Sequence, residues 1–151
     1  MSAELTVRIQ RLPHARDIPL PERATAAASG FDLRACVDRP VVIEVGARAL
    51  VPTGVAVAVP EGYEGQVRPR SGLALRSGLT LLNSPGTIDA DYRGEIGVIV
   101  VNHGDAQATI ERGDRIAQLV FQRLPEVVLE AVDELPETAR GALGFGHTGT
   151  R

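Results

Sequence analysis

Asp89, Asp91 and Tyr92 fall within four consecutive positions of the stretch NSPGTIDADYRGE, residues 83–95. Pro85-Gly86 and Asp91 are ordinary turn residues. Turn chemistry does not account for Thr87-Ile88, a β-branched pair suited to a strand, leading directly into Asp89. A strand that delivers a carboxylate to a turn reads as a segment that presents a group for chemistry. Four other polar clusters accompany it: SGFDLRA (29–35) with Asp32, RPRSGLA (68–74) with Arg70, Ser71 and Gly72, GDRIAQL (113–119) with Gln118, and RGALGFGHTG (140–149). Taken singly, each has a structural account. Asp32 could fix a turn after Gly30, Arg70-Ser71 could cap a short helix, and Gln118 could face outward from a strand.

Several kinds of chemistry are excluded. All 16 basic residues are arginine, so Schiff-base catalysis and a lysine-bearing P-loop are absent. No GxSxG, CxxC, HExxH or EF-hand pattern occurs. His14, His103 and His147 lack metal-ligand spacing, His103 falls in the turn-like VNHGD, and Cys36 reads as a small core hydrophobe. A net charge of −3 argues against general polyanion binding, and the 3% aromatic content argues against base stacking along a polynucleotide. Direct nucleic-acid binding is not expected. No apolar run approaches a membrane span, the first residues lack a signal-peptide segment, and a single cysteine suits a reducing compartment. A cytoplasmic protein with no membrane partner is the expectation.

The elements that must position these clusters are short and β-rich. Candidate strands are LTVRI (5–9), VVIEV (41–45), ALVPTGVAVAV (49–59), GQVRP (65–69), LTLL (79–82), EIGVIVVN (95–102), ATIER (108–112), RIAQLVFQR (115–123) and EVVLEAV (126–132). Turn signals such as PEGYEG, NHGD and ERGD separate them. Short strands at close spacing predict an antiparallel sandwich, jelly roll or barrel. The best helical candidate is SGLALRSG (71–78), about two turns long by the rise of an α-helix. The 151 residues suffice for one domain. Residues 1–135 read as its core and 136–151 as an exposed glycine-rich arm without strand or helix pattern.

In this order and spacing the five clusters closely resemble the five motifs of the homotrimeric deoxyuridine triphosphate nucleotidohydrolases (dUTPases). GTIDADYRG is the most specific element and PRSGLA the next. The resemblance spans essentially the whole chain. It implies an all-β protomer, a distorted jelly-roll-like β-barrel with one short helix, assembled as a homotrimer with sites at subunit boundaries. The implied reaction converts dUTP and water to dUMP and pyrophosphate, with Mg2+ on the triphosphate.

The resemblance also implies roles, residue by residue. Asp89 would orient and deprotonate the attacking water, and Asp91 would hold the turn. Asn83 and backbone groups of Gly86, Thr87, Ile88 and Asp89 would read the uracil edge, with Gly97 closing the base pocket. Tyr92 would pack on deoxyribose and leave no room for a 2′-hydroxyl, a discrimination by crowding. Arg70, Ser71 and Gly72 would bind phosphates, which a guanidinium fork and backbone amides at a helix start suit. Gln118 would add an amide near the α-phosphate, and Asp32 would reach magnesium through water, in keeping with an ion that keeps several waters. In the arm, Arg140, Gly146, His147 and Thr148 would close over the γ-phosphate while Phe145 stacks on uracil. One departure stands out: Leu143-Gly144 occupies the place of paired glycines, and leucine does not freely take positive φ. Two alternatives remain open on the residues, a related dCTP deaminase and a non-catalytic trimer. The deaminase would need a glutamate on the strand after the turn, and IGVIVVN (96–102) has no acid.

Overall fold

The structure is a computed structural model and describes residues 4–144. Its strands in chain order are β1 (Arg8–Arg11), β2 (Phe31–Arg34), β3 (Val41–Ile43), β4 (Arg48–Pro52), β5 (Val55–Ala58) and β6 (Tyr63–Arg68). After helix α1 (Ser71–Ser77) come β7 (Leu79–Leu81), β8 (Gly86–Ile88), β9 (Gly97–Asn102), β10 (Ala108–Ile110) and β11 (Arg115–Arg123). A 3-10 turn occupies Pro13–Ala15. The strands form four antiparallel sheets, ordered β1-β5, β10-β3, β2-β11-β6-β8 and β4-β9-β7.

The sheets close on a core of aliphatic side chains, among them Leu33, Ile43, Val51, Ile96, Val98, Ile110 and Leu119, all nearly inaccessible. Each such side chain contributes about 1.5–3 kcal/mol on leaving water, so a core without tryptophan is adequate at this size. The expected all-β, jelly-roll-like stack with one short helix is what forms. The barrel is not closed by hydrogen bonds, because every strand except β11 is only three to six residues long and the ladders stop at the corners.

β11 covers RIAQLVFQR as expected, and α1 matches the expected helix to within its final glycine. Gly78, at φ 67°, ends the helix and returns its N–H to the Ala74 carbonyl. The run 49–59 is broken into β4 and β5 at Thr53-Gly54, where the Thr53 hydroxyl donates to the Ile96 carbonyl at 2.6 Å. LTVRI forms its strand later, at Arg8–Arg11, because its ladder is set by Val55–Ala58. FDLR is a strand that the apolar-run reading passed over. Its signal is the alternation of Phe31 and Leu33 with Asp32 and Arg34.

EVVLEAV (126–132) is not a strand. Val128 is 85% and Leu129 94% exposed, and strand propensity without a partner ladder does not hold an extended segment in a sheet. Residues 136–143 are exposed throughout, and the turn at 140–143 takes its positive φ at Gly141 rather than at Leu143.

Candidate functional site

Four of the five polar clusters converge on the sheet β2-β11-β6-β8. Gln118 on β11 pairs with Asp32 on β2 and with Arg68 on β6, so residues far apart in sequence become lateral neighbours. A register shift between Arg115 and Ala117 interrupts the β2–β11 ladder. An irregularity of this kind re-aims a side chain, and here Arg115 Nη1 reaches Asp32 Oδ2 at 3.2 Å. Arg70 Nε lies 3.5 Å from Asp32 Oδ1, and Arg70 Nη1 donates to the Arg115 carbonyl at 2.9 Å. One largely buried carboxylate thus holds two guanidinium groups, and the surplus positive charge suits an anion.

Gln118 donates from Nε2 to the Pro69 carbonyl at 3.1 Å. A Cβ at Gly30 would meet its side-chain oxygen at 2.5 Å, so glycine there makes room for the amide. Arg70 is the N-cap of α1, and no side-chain bond caps the helix, so the capping account of Arg70-Ser71 does not hold. Ser71 is exposed at the first helical position, and the Arg76 guanidinium lies over Gly72. Arg115, against Asp32, and Arg76, against Gly72, are neighbours of these residues that the sequence did not single out. Arg115 lies inside GDRIAQL, beside Gln118 in the quoted cluster.

The hairpin builds a different cleft. β8 pairs with Gly65–Val67, which buries Gly86 and Ile88, exposes Thr87 and delivers Asp89 to the exposed end. Asn83, Gly86, Thr87, Ile88, Asp89, Tyr92 and Gly97 all line one cleft of about 210 Å3. The Asn83 amide lies against Gly86, 3.2 Å from where a Cβ would be. The turn is closed by the Tyr92 N–H donating to the Asp89 carbonyl at 3.1 Å, and Arg93 Nη1 donates to the carbonyls of Ala90 and Tyr92. Main chain and Arg93, rather than the Asp91 carboxylate, hold it together. Tyr92 is 43% exposed and donates its hydroxyl to the Glu95 carbonyl at 2.9 Å.

Within one chain these groups remain apart. Arg70 and Arg115 line another cleft, of about 310 Å3, with Leu73, Thr80 and Asp114. Among the described residues no hydrogen bond or ion pair joins Asp89 to Asp32, Arg70 or Gln118. Arg140 bonds within its own turn, from Nε to the Leu143 carbonyl at 2.9 Å. Phe145, Gly146, His147 and Thr148 lie outside the described residues. No group of three or more His, Cys, Asp or Glu among the described residues could cage a metal ion. Asp32 already engages two arginines, so this donor set fits an ion carried on phosphate and met through water.

Fold and site define a jelly-roll-like β protein with a guanidinium-rich face suited to anions and a hairpin cleft suited to a small polar ring. Residues 16–149 match the dUTPase family, and the chain belongs to it. Over 145 residues it is 57% identical to a deoxyuridine 5'-triphosphate nucleotidohydrolase of Syntrophotalea carbinolica, covering 96% of this chain and 97% of the relative. Among solved structures it is similar to a mutant dUTPase of Staphylococcus bacteriophage 80alpha with dUpNHpp. That match has TM-score 0.84 and 28% identity, and covers 95% of this chain and 98% of the other. A mutant dUTPase from phage phi11 of S. aureus, described with a structural Mg(II) ion, matches with TM-score 0.75 and 28% identity. It covers 85% of this chain and 97% of the other. No helix among the described residues is long and apolar enough to cross a membrane.

Proposed function

We propose that this protein hydrolyses dUTP to dUMP and pyrophosphate, limiting uracil incorporation into DNA and supplying dUMP for dTMP synthesis. The observation that carries the reading is the hairpin cleft, where an amide, a row of backbone groups and an exposed carboxylate converge. Asn83 and the backbone of Gly86 to Asp89 offer donors and acceptors to a uracil edge, and Gly97 lines the same cleft. Tyr92 stands where the sugar would leave the cleft. Asp89 sits at the rim, able to accept a proton from water aimed at the α-phosphate.

The guanidinium face serves the triphosphate. Arg70, the Ser71 hydroxyl, the Gly72 amide and Gln118 supply donors for charge that develops on the phosphates. Bound on the triphosphate, Mg2+ would supply further neutralisation of that charge, with Asp32 contacting its waters. Arg140 with Gly146, His147 and Thr148 would cover the γ-phosphate, and Phe145 the base.

The separation of the two groups within one chain supports a homotrimer in which each site draws on more than one protomer. The exposure of Val127, Val128, Leu129 and Leu135 points the same way, since such an apolar run is ill suited to solvent. A cytoplasmic enzyme of nucleotide metabolism fits the single free thiol of Cys36. The test is pyrophosphate release from dUTP, dTTP, dCTP and UTP with and without magnesium. Release confined to dUTP and stimulated by the metal is expected. Ammonia from dCTP would overturn the reading in favour of a deaminase.

A further inference from the structure

Glu95 belongs to the hairpin stretch, yet none of the roles above uses it. Its carboxylate turns away from the hairpin tip into the body of the fold. Oε1 accepts the Gly54 N–H at 2.6 Å, at the corner where β4 turns into β5. The same oxygen lies 3.0 Å from His14 Nε2 in the Pro13–Ala15 turn. A carboxylate oxygen only accepts, so the imidazole Nε2–H is the donor of this pair. Three segments distant in sequence therefore meet on one oxygen, and the residue is only partly exposed.

The backbone of Glu95 is gripped as well. The next residue, Ile96, is fully buried, donates its N–H to the Val55 carbonyl at 2.8 Å and accepts the Thr53 hydroxyl at 2.6 Å. The Ile96 bonds hold one side of the Glu95–Ile96 peptide and the side-chain bonds to Gly54 and His14 hold the other. It is the carbonyl of this peptide that takes the Tyr92 hydroxyl at 2.9 Å. Tyr92 is folded back across Gly94, where a Cβ would approach ring Cζ to 2.7 Å. An exposed aromatic held at both its hydroxyl and its face has lost the rotamer freedom it would otherwise keep.

We propose that Glu95 is a positioning residue for sugar discrimination. Anchored by Gly54 and His14, it holds the carbonyl that fixes the Tyr92 ring, and so sets how closely the cleft fits a deoxyribose. The inference rests on the reading of Tyr92 as the sugar-facing residue. A crowding device discriminates only when the crowding group cannot yield, so the anchor matters as much as the ring.

The test compares Glu95→Ala, Glu95→Gln and Tyr92→Ala by kcat/KM for dUTP and UTP, and by ring resonances of labelled tyrosine. The chain has two tyrosines, so Tyr63 serves as the internal control. Glu95→Ala should shift or broaden the Tyr92 signals, leave those of Tyr63, and narrow the dUTP-to-UTP ratio about tenfold, the worth of one charge-assisted hydrogen bond. Glu95→Gln keeps an oxygen for the Gly54 N–H and should retain most of the ratio. If Glu95→Ala fails to fold, Glu95→Gln and His14→Ala carry the test, with smaller losses of the same sign. Unmoved Tyr92 signals, or equal losses for both nucleotides while Tyr92→Ala narrows the ratio, would overturn the anchor. An unchanged ratio in Tyr92→Ala would instead remove Tyr92 from sugar selection, and this proposal with it.

Discussion

Asp89 is exposed directly after β8, which pairs with β6, and its carbonyl accepts the Tyr92 N–H at 3.1 Å. Its carboxylate is therefore free to meet a water while its backbone is not free to move. In the proposed role the group acts as a positioned base. Replacing it by Asn keeps size and hydrogen-bonding capacity but removes the proton acceptor. Asp89→Asn should leave fold and dUTP binding intact and lower kcat by roughly 10²–10⁴-fold, the usual worth of a general base. Pre-steady-state and steady-state pyrophosphate release check this, and turnover near that of the wild type would take Asp89 out of the base role. At this scale the sequence was legible where side-chain type and turn chemistry coincide, as in the grouping of Asp89 and Tyr92 on one hairpin, where both line one cleft. It was less so for Arg115 and Glu95, whose partners Asp32 and Gly54 lie far away along the chain. Charge alone on a solvated loop or strand end carries no such information.

At the scale of elements, β11 was readable to the residue because its nine positions carry a long, dense apolar pattern bounded by Asp114 and Leu124. Three-residue strands such as β8 and β10 offer too few positions for periodicity, and only their partners β6 and β3 define them. EVVLEAV shows the converse, strong propensity without a ladder. Between elements, Arg112 fastens the loop before β11 to the turn after β1. It donates to both Asp17 oxygens, from Nε at 2.8 Å and Nη2 at 2.6 Å, and to the carbonyls of Val37 and His14. These bonds lower the Asp17 carboxyl from 3.8 to about 2. A depressed carboxyl stabilises the fold above its unfolded value and loses that contribution as pH falls through the folded one. The melting temperature of the wild type should exceed that of Asp17→Asn near neutral pH, and the gap should close between pH 3.8 and about 2. Added salt should shrink the gap, since Asp17 is 64% exposed and such pairs are screened. A gap unchanged at pH 2 would mean that the amide itself, not the charge, sets the difference.

At the scale of the whole molecule, the hairpin cleft and the guanidinium face are lined by different residues of one protomer. The chain beyond β11 contributes no buried side chain among its described residues, and its first anchor is the Leu124 N–H on the Gly62 carbonyl. A chain ending at Leu135 should therefore fold and assemble like the intact one, because nothing it loses belongs to the core. It should be nearly inactive, for it lacks Arg140 and the donors of the final glycine-rich stretch. Asp89→Asn should be nearly inactive for an unrelated reason. If each site takes its Asp89 hairpin from one protomer and its arm from another, the two inactive proteins carry complementary defects. Dissociated and reassembled together, they should regain pyrophosphate release, because some sites then combine an intact Asp89 from a truncated chain with an intact arm from an Asn chain. A site completed within one protomer has no such route to repair. Mass analysis of the assemblies must accompany the assay, so that mixed trimers are known to be present when activity is read. Mixed trimers that release pyrophosphate no faster than either variant alone would place hairpin and arm in the same protomer.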